Sequence, residues 1–209
     1  MTAERVLLVA TRNAGKLAEL NEILAASGIH VVDLEDAGIR PHEEEADIEC
    51  FESLRENAIA KARYFHRVSG LATVADDSGL SVDALKGAPG VHSRRYSGRD
   101  DLSGQDLDDA NNNALMVALR DALHPAARFG CAAAYADGEF EVVEEGFAHG
   151  EILRRPRGAN GFGYDPYFLS DDLGKTFAEA TREEKAPVSH RGRAFRALVA
   201  LLRDRGRIK

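Results

Sequence analysis

The chain has 209 residues, of which 44% are hydrophobic and 30% are charged, a composition typical of a globular protein with a sizeable core. Its formal net charge of −8 argues against a general nucleic-acid coat protein. Its two cysteines exclude a disulfide-rich scaffold and a cysteine-rich zinc site. No apolar run reaches the roughly 18 residues of a membrane helix, and the run at 6–10 is too short for a signal peptide, so we expect a cytosolic protein.

The charges are unevenly distributed along the chain. Residues 33–56 contain ten acidic residues and two basic ones, whereas residues 182–209 contain nine basic residues and three acidic ones. Such segments could hold a divalent cation and a polyphosphate, respectively. Two solvated faces of opposite charge would explain the same distribution.

The first elements follow the order strand, loop, helix, strand. The apolar run 6–10 predicts a buried strand, and the leucines spaced along 17–24 predict one face of a helix. Residues 30–34 predict a second strand, and the acidic residues 36–50 predict a loop. This order is typical of an α/β layer.

The remaining elements continue the mixed pattern. A helix is predicted around 54–65, a strand over 71–75 that ends in Asp76, and a helix over 107–123. Asp137-Gly138 between two strand-like runs predicts a β-hairpin. A glycine-rich loop over 157–166 and a C-terminal helix after residue 191 complete the prediction.

The segment Thr11-Arg12-Asn13-Ala14-Gly15-Lys16 lies between the first strand and the first helix. Backbone N–H groups at a helix N-terminus attract anions, and Thr11, Asn13 and Lys16 could add hydrogen bonds and charge. The segment lacks the spacing of a Walker A loop. It predicts either a phosphate-binding turn or an ordinary capped turn with a surface lysine.

Asp76 and Asp77 come at the end of a predicted strand, where ligands bind in α/β sheets. Because neighbouring side chains of a strand point to opposite faces, both can bind one metal ion only if the strand has ended. One of them, together with Glu49, could hold Mg²⁺, which prefers one or two carboxylates with phosphate oxygens and water. A solvated turn is the alternative.

Two later segments carry groups suited to a nucleoside. In the run 161–166 two glycines allow close backbone approach, two aromatic rings could stack on a base, and Asp165 could accept hydrogen bonds. Lys185 and the run Ser189-His190-Arg191 offer donors for a phosphate or a purine carbonyl. The alternatives are a tight turn that buries Phe162 and a helix start with surface bases.

The order of these segments resembles the inosine triphosphate pyrophosphatase family, which hydrolyses non-standard purine nucleoside triphosphates such as ITP, dITP and XTP. The matching stretches run along essentially the whole chain. They are ATRNAGK at 10–16, ENA at 56–58 with KA at 61–62, ADDSGL at 75–80, GAPGV at 87–91, RYSG at 95–98, NGFGYDP at 160–166, and EK at 184–185 with SHR at 189–191.

The resemblance implies a role for each matching residue. Substrate contacts through phosphate or the adjoining groups fall on Thr11, Asn13, Lys16, Lys61 and Ser78. Nucleoside contacts fall on Phe162, Gly163, Tyr164, Asp165, Lys185, His190 and Arg191.

The resemblance also implies the catalytic and metal-binding groups. Asp77 matches the catalytic proton acceptor, which is also a metal ligand, and spacing assigns the second metal ligand to Glu49. The residues after Glu49 depart from the family pattern. Three nearby acids therefore remain rivals for this role: Glu45, Asp47 and Glu52.

The implied fold is a single α/β domain over residues 1–209 with no clear linker. In it a long, bent, mixed β-sheet with flanking helices forms two lobes around a central substrate cleft. The resemblance further implies Mg²⁺ as the cofactor, a homodimer, and no nucleic-acid or membrane partner.

The implied reaction is hydrolysis at the α–β phosphate linkage, which releases a nucleoside monophosphate and pyrophosphate. Two alternatives stay open. One is a pyrophosphatase for other nucleotides, and the other is a non-catalytic nucleotide sensor. Retention of Asp77 and a nearby acid such as Glu49 weakens the sensor hypothesis, because a protein that only binds needs no base.

Overall fold

The computed structural model describes residues 6–209. Its strands are β1 (Leu7–Val9), β2 (Val31–Asp33), β3 (Ala72–Val82), β4 (Ala126–Ala136), β5 (Glu141–Ile152) and β6 (Phe168–Ser170). Its α-helices are α1 (Ala14–Ala26), α2 (Leu54–Ser69), α3 (Gly104–Ala118), α4 (Arg182–Lys185) and α5 (His190–Asp204). Within this part of the chain, no helix combines the length and hydropathy needed to cross a bilayer.

The strands form a six-stranded sheet in the order β2-β1-β3-β4-β5-β6. Strand β1 pairs in parallel with β2 and with β3, whereas β5 and β6 pair antiparallel. The sheet is therefore mixed and flanked by helices, which confirms the predicted fold class. The predicted hairpin is confirmed too, because the Asp137 carboxylate accepts hydrogen bonds from the N–H groups of Glu139 and Phe140 between β4 and β5.

The described chain divides into two compact units, each assembled from separate segments. The first unit contains residues up to Asp77, then 131–146 and 191–209. The second unit contains 78–130 and 147–190. Strands β3, β4 and β5 therefore each contribute residues to both units.

The core of the first unit follows the alternation of side chains along its strands. Leu7 and Val9 belong to a cluster with α1 and α5, whereas Leu8 and Ala10 belong to a cluster with α2. Opposite faces of a strand thus pack against different helices, as a pleated strand requires. The same alternation continues along β3 and separates its two aspartates.

The core of the second unit is more aromatic. Phe129, Phe168 and Phe177 pack with ring centroids 4.7–6.0 Å apart. Leu115 of α3 and Tyr164 of the glycine-rich loop are buried in the same cluster. This packing anchors both α3 and the loop to one apolar core.

Two predicted elements have different bounds in the structure, and one strand had no predicted counterpart. Strand β3 does not end at Asp76 but runs on to Val82, because buried cationic side chains stabilise the charge of Asp76 inside the sheet. The helix predicted over 107–123 spans Gly104–Ala118 instead. Strand β6 was not predicted, since its three residues are too short to show alternation.

Candidate active site

The turn that leads into α1 is held by its own side chains. Asn13 is the N-cap of α1, and its Oδ1 accepts a hydrogen bond from the Lys16 N–H at 2.9 Å. Thr11 Oγ1 accepts from the Asn13 N–H at 3.2 Å. The predicted cap is therefore confirmed, but the surface lysine of that alternative is wrong, because the Lys16 side chain is largely buried and pairs with Asp76. An anion-binding role remains compatible with the cap, since the first turn of a helix presents backbone N–H groups and the positive end of its dipole.

Asp76 lies on the face of β3 that meets α1 and α5, and it is fully buried. Its Oδ2 lies 3.1 Å from Lys16 Nζ and 3.2 Å from Arg191 Nε. Burial opposes the charge, but Lys16, Arg191 and Lys61 outweigh it and hold the pKa of Asp76 well below its usual range. Asp76 is thus a permanent anion that fixes the position of Lys16.

Asp77 lies on the opposite face of β3 and is 7% exposed. Its Oδ2 accepts a hydrogen bond from Asn57 Nδ2 of α2 at 2.9 Å. Burial and the nearby carboxylate of Glu49 raise the pKa of Asp77, against the opposing effect of Lys16 and Lys61. The two neighbouring aspartates therefore have opposite pKa shifts, which marks Asp77 as the candidate base.

Asn57 also organises the loop before α2. Its side chain accepts a hydrogen bond from the Phe51 N–H at 2.9 Å and donates to the Phe51 carbonyl at 3.2 Å. A single buried amide therefore connects this loop to Asp77. Asn57 lies four residues before Lys61 and so shares its helix face, but the sequence does not indicate this link to Asp77.

Lys61 and Glu49 form an ion pair beside Asp77. Lys61 Nζ also donates to the backbone carbonyl of Asp76 at 3.0 Å. Burial opposes the charges of Lys61 and Glu49, but their mutual attraction raises the pKa of Lys61 and lowers that of Glu49. The pair thus brings one cation and one anion close to the candidate base.

The geometry favours Glu49 over its three rivals. Glu45 forms an ion pair with Arg12 at 2.8 Å, and Asp47 and Glu52 are exposed. Glu49 is the acid whose charge acts on Asp77. Within residues 6–209 no group of three or more Asp, Glu, His or Cys side chains is arranged to hold a metal ion, so any ion here would draw further ligands from substrate and water.

Arg191 also belongs to the first unit, where its guanidinium is fully buried. It contacts Asp76 and Glu19, and these two carboxylates raise its pKa despite burial. The ion pair between Arg191 and Asp76 holds the Asp76 carboxylate in place. Of the three predicted donors for a purine carbonyl, the other two, Lys185 and His190, belong to the second unit.

In the second unit, the glycine-rich loop is built around Asp165. Asp165 Oδ2 accepts hydrogen bonds from the Phe162 N–H at 3.0 Å and from Lys185 Nζ at 2.6 Å. Gly161 has a φ of +75°, and a Cβ there would lie 2.1 Å from Asp165 Oδ2, so the turn requires glycine. Lys185 Nζ lies 5.5 Å from the centre of the Phe162 ring.

The two aromatic residues of the loop have different environments. Tyr164 is buried in the core, and its hydroxyl donates to the Ser93 carbonyl at 2.7 Å. Its ring is therefore not placed to stack on a base, contrary to our expectation for both rings, and stacking by Phe162 stays a prediction. His190 is buried as well, with its ring 4.7 Å from that of Phe129 at an angle of 12°.

A family model described as the Ham1 family matches residues 7–201 of this chain. The chain belongs to the Ham1 family. A curated dITP/XTP pyrophosphatase from Frankia alni is 48% identical over 202 residues, which cover 95% of this chain and 97% of that protein. The resemblance inferred from the ordered motifs is thereby confirmed.

Solved structures agree with this assignment. A HAM1 protein from Coxiella burnetii superposes with a TM-score of 0.80 at 36% identity, covering 96% of this chain and 99% of that one. A nucleoside-triphosphatase / dITP/XTP pyrophosphatase from Mycobacterium abscessus gives 0.69 at 47% identity, covering 92% and 98%. The fold of this Ham1 chain is therefore that of its relatives over nearly its whole length.

Sequence reasoning missed several residues that organise the Ham1 site. Asp76 was considered only as a rival to Asp77, and Glu19 was not considered at all. A signal for Glu19 was available, because it lies three residues after Lys16 and so shares its helix face. No signal in the sequence indicated that Arg191, far along the chain, contacts both acids.

Proposed function

We propose that this Ham1 protein hydrolyses non-standard purine nucleoside triphosphates, such as ITP, dITP and XTP, to the monophosphate and pyrophosphate. Such an activity removes these compounds from the nucleotide pool. The observation that carries the proposal is the buried Asp77, held by Asn57 beside the Lys61–Glu49 pair. The activity named for the relatives supports it.

Glu49 and Asp77 fit a divalent cation such as Mg²⁺. Both carboxylates lie near Lys61, which pairs with Glu49 and donates to the backbone carbonyl of the residue before Asp77. Burial and repulsion from Glu49 raise the pKa of Asp77. A cation between substrate and protein would relieve that repulsion. When bound, Mg²⁺ supplies charge neutralisation at the phosphate oxygens and lowers the pKa of a bound water.

The residues of the first unit are suited to bind the triphosphate and to move one proton. Lys16 and Lys61 are cations in a largely buried setting, where charge-assisted hydrogen bonds to phosphate are strong. Asp77 takes the proton of the attacking water. A carboxylate with a raised pKa is a better base than an exposed one, which suits this role.

The residues of the second unit are suited to bind the nucleoside. Phe162 offers a ring for stacking, and Lys185 offers donors for the C6 carbonyl of hypoxanthine or xanthine. Adenine has an amine at C6, so the N–H of Lys185 that would face C6 gains no acceptor from that base. A mismatch of this kind can discriminate by up to about 10⁴–10⁵-fold. The family resemblance also supports a homodimer in the cytosol.

The test combines a substrate panel with one substitution. ITP, XTP, GTP, ATP and dTTP are offered with Mg²⁺, and pyrophosphate and orthophosphate are assayed separately. We expect pyrophosphate from ITP and XTP and little from ATP or GTP. Asp77→Asn should lower turnover by about 10²–10⁴-fold, because it removes the general base. The matched control is Asp83→Asn, because Asp83 is an exposed aspartate that directly follows β3.

Three results would contradict parts of this proposal. Orthophosphate as the first product would move the cut to another phosphate linkage. Near-normal turnover by a folded Asp77→Asn variant would remove Asp77 from its role as base. Binding of ITP without any turnover by the unmodified protein would make it a nucleotide sensor.

A further inference from the structure

Helix α3 presents two polar side chains to the glycine-rich loop of the second unit. Asp108 and Asn112 are four residues apart and therefore lie on the same face of the helix. The Gly163 N–H donates a hydrogen bond to Asp108 Oδ2 at 2.8 Å, and Asn112 Nδ2 donates to the Gly163 carbonyl at 2.9 Å. Both polar backbone groups of one residue are thus held by one helix face.

The backbone of Gly163 has a conformation that few residues other than glycine adopt. Gly163 has a φ of +61°, in the left-handed region that glycine adopts without strain, and fixing a glycine there costs more conformational entropy than fixing another residue. Asn112 is 5% exposed and Asp108 is half-buried. Burying such polar groups is costly unless they are hydrogen-bonded, so their presence on an inward helix face requires a partner. Gly163 is the partner of Asp108 Oδ2 and of Asn112 Nδ2, whereas the buried Asn112 Oδ1 has no hydrogen-bond partner among residues 6–209.

The neighbouring residue Asn111 shows the same kind of contact with a different loop. Its Oδ1 accepts from the Ser97 N–H at 2.8 Å, and its Nδ2 donates to the Arg94 carbonyl at 2.9 Å. Helix α3 therefore uses consecutive buried amides to fix the backbones of two loops. The contact to Gly163 differs from the contacts of Asn111 because Gly163 lies between two candidate nucleoside-binding residues. Phe162 precedes Gly163, and Asp165 follows it by two positions.

We propose that Asp108 and Asn112 are positioning residues for nucleoside binding. The inference rests on the proposed function and deepens it. By fixing Gly163, the two side chains set the direction of Phe162 and the position of Asp165, which in turn holds Lys185. Asp108 and Asn112 belong to the second unit, whereas the Asp77 cluster belongs to the first. Their loss should weaken recognition of the nucleoside and leave recognition of phosphate unchanged.

The test compares two ligands, inosine 5′-monophosphate and inorganic tripolyphosphate, in binding assays with Mg²⁺. Asp108→Ala removes the acceptor for Gly163, and Asn112→Asp places a carboxylate against its carbonyl. We expect either variant to bind the monophosphate about tenfold more weakly, since a lost hydrogen bond and an unpaired buried group reduce affinity by that order. Tripolyphosphate affinity should not change.

The chain supplies matched controls at the next position along the same helix. Asp109→Ala and Asn113→Asp make the same chemical changes at exposed residues and should leave both affinities unchanged. Asp108→Asn keeps an oxygen acceptor for Gly163 and should restore monophosphate binding. Asp108→Ala and Asn112→Asp each test the inference independently. If one of them fails to fold, the other still decides the result.

The outcomes separate this inference from the proposed function. If the unmodified protein binds inosine 5′-monophosphate and the Asp108 and Asn112 variants bind it equally well, the inference is wrong. Equal weakening of both ligands also overturns it, because that result indicates general destabilisation. Failure of the unmodified protein to bind the monophosphate at all would overturn this inference alone, because the proposed function is decided by turnover of ITP and XTP.

Discussion

The two cysteines of this chain show that the environment of a side chain decides its chemical reactivity. Cys50 is exposed, whereas Cys131 on β4 is 1% exposed. Burial raises the pKa of the Cys131 thiol strongly, and the charge of Asp76 raises it further. Because the thiolate is the reactive form, Cys131 should be inert in the folded protein.

We expect one thiol per chain to react with Ellman's reagent in native buffer and two in guanidinium chloride. Cys50→Ser should abolish the native reaction and leave one thiol in denaturant. The colour released at equilibrium gives the count directly. Rapid reaction of two thiols in native buffer would contradict the buried position of Cys131.

Strand β3 shows how an element gives neighbouring residues different roles. The pleat directs Asp76 towards α1 and α5, where Lys16 and Arg191 neutralise it, and directs Asp77 towards α2 and Asn57. The Asp76 carboxylate is therefore structural, whereas the Asp77 carboxylate is held by the Asn57 amide on the other face of the strand. The alternative of a solvated turn at Asp76 and Asp77 is excluded, because both side chains are buried.

Asp76→Asn should destabilise the protein strongly at neutral pH. The substitution leaves Arg191 and Lys16 without their shared anion, and breaking a buried ion pair costs about 3–5 kcal/mol. Urea unfolding followed by circular dichroism measures the change. Asp101→Asn, which removes an exposed partner of Arg99, is the control and should leave the midpoint within experimental error. Equal midpoints for the Asp76 variant and the unmodified protein would contradict the structural role of Asp76.

At the scale of the whole molecule, the first unit depends on chain segments that are distant in sequence. Its core contains β1 and α1 from the start of the chain, Ala133 and Tyr135 from β4, and α5 from the end. Phe195, Leu198 and Leu202 of α5 are fully buried there. Residues up to Asp77 therefore cannot form this core without the last helix.

Removal of residues 191–209 should abolish cooperative unfolding. Each large apolar side chain of α5 contributes about 1.5–3 kcal/mol by its burial, and the sum is comparable with a typical net stability of about 5–15 kcal/mol. Thermal melts monitored by circular dichroism provide the measurement, with a chain lacking only the exposed Lys209 as control. A sharp melt of the shortened chain at the normal temperature would contradict this dependence.

Much of the fold was predictable because its signals are local. The apolar run of β1, the leucines of α1 and the Asp137-Gly138 turn are each set by neighbours within a few residues. Family membership was predictable for a different reason, since seven ordered motifs along one chain do not arise by coincidence. Both depend on residue types and spacing, which a sequence displays directly.

The assignment of roles within the site required the folded chain. From the sequence, Asp76 is predicted to lie in a turn. Folding brings it into contact with Lys16 and Arg191, which are 60 and 115 positions away along the chain. Tyr164 is predicted to stack on a base, but the folded core buries its ring. Asp108 and Asn112 resemble ordinary polar helix residues in the sequence, and only the fold places Gly163 against them. Burial, charge pairing and pKa depend on distances between remote residues, and those distances exist only once the chain has folded.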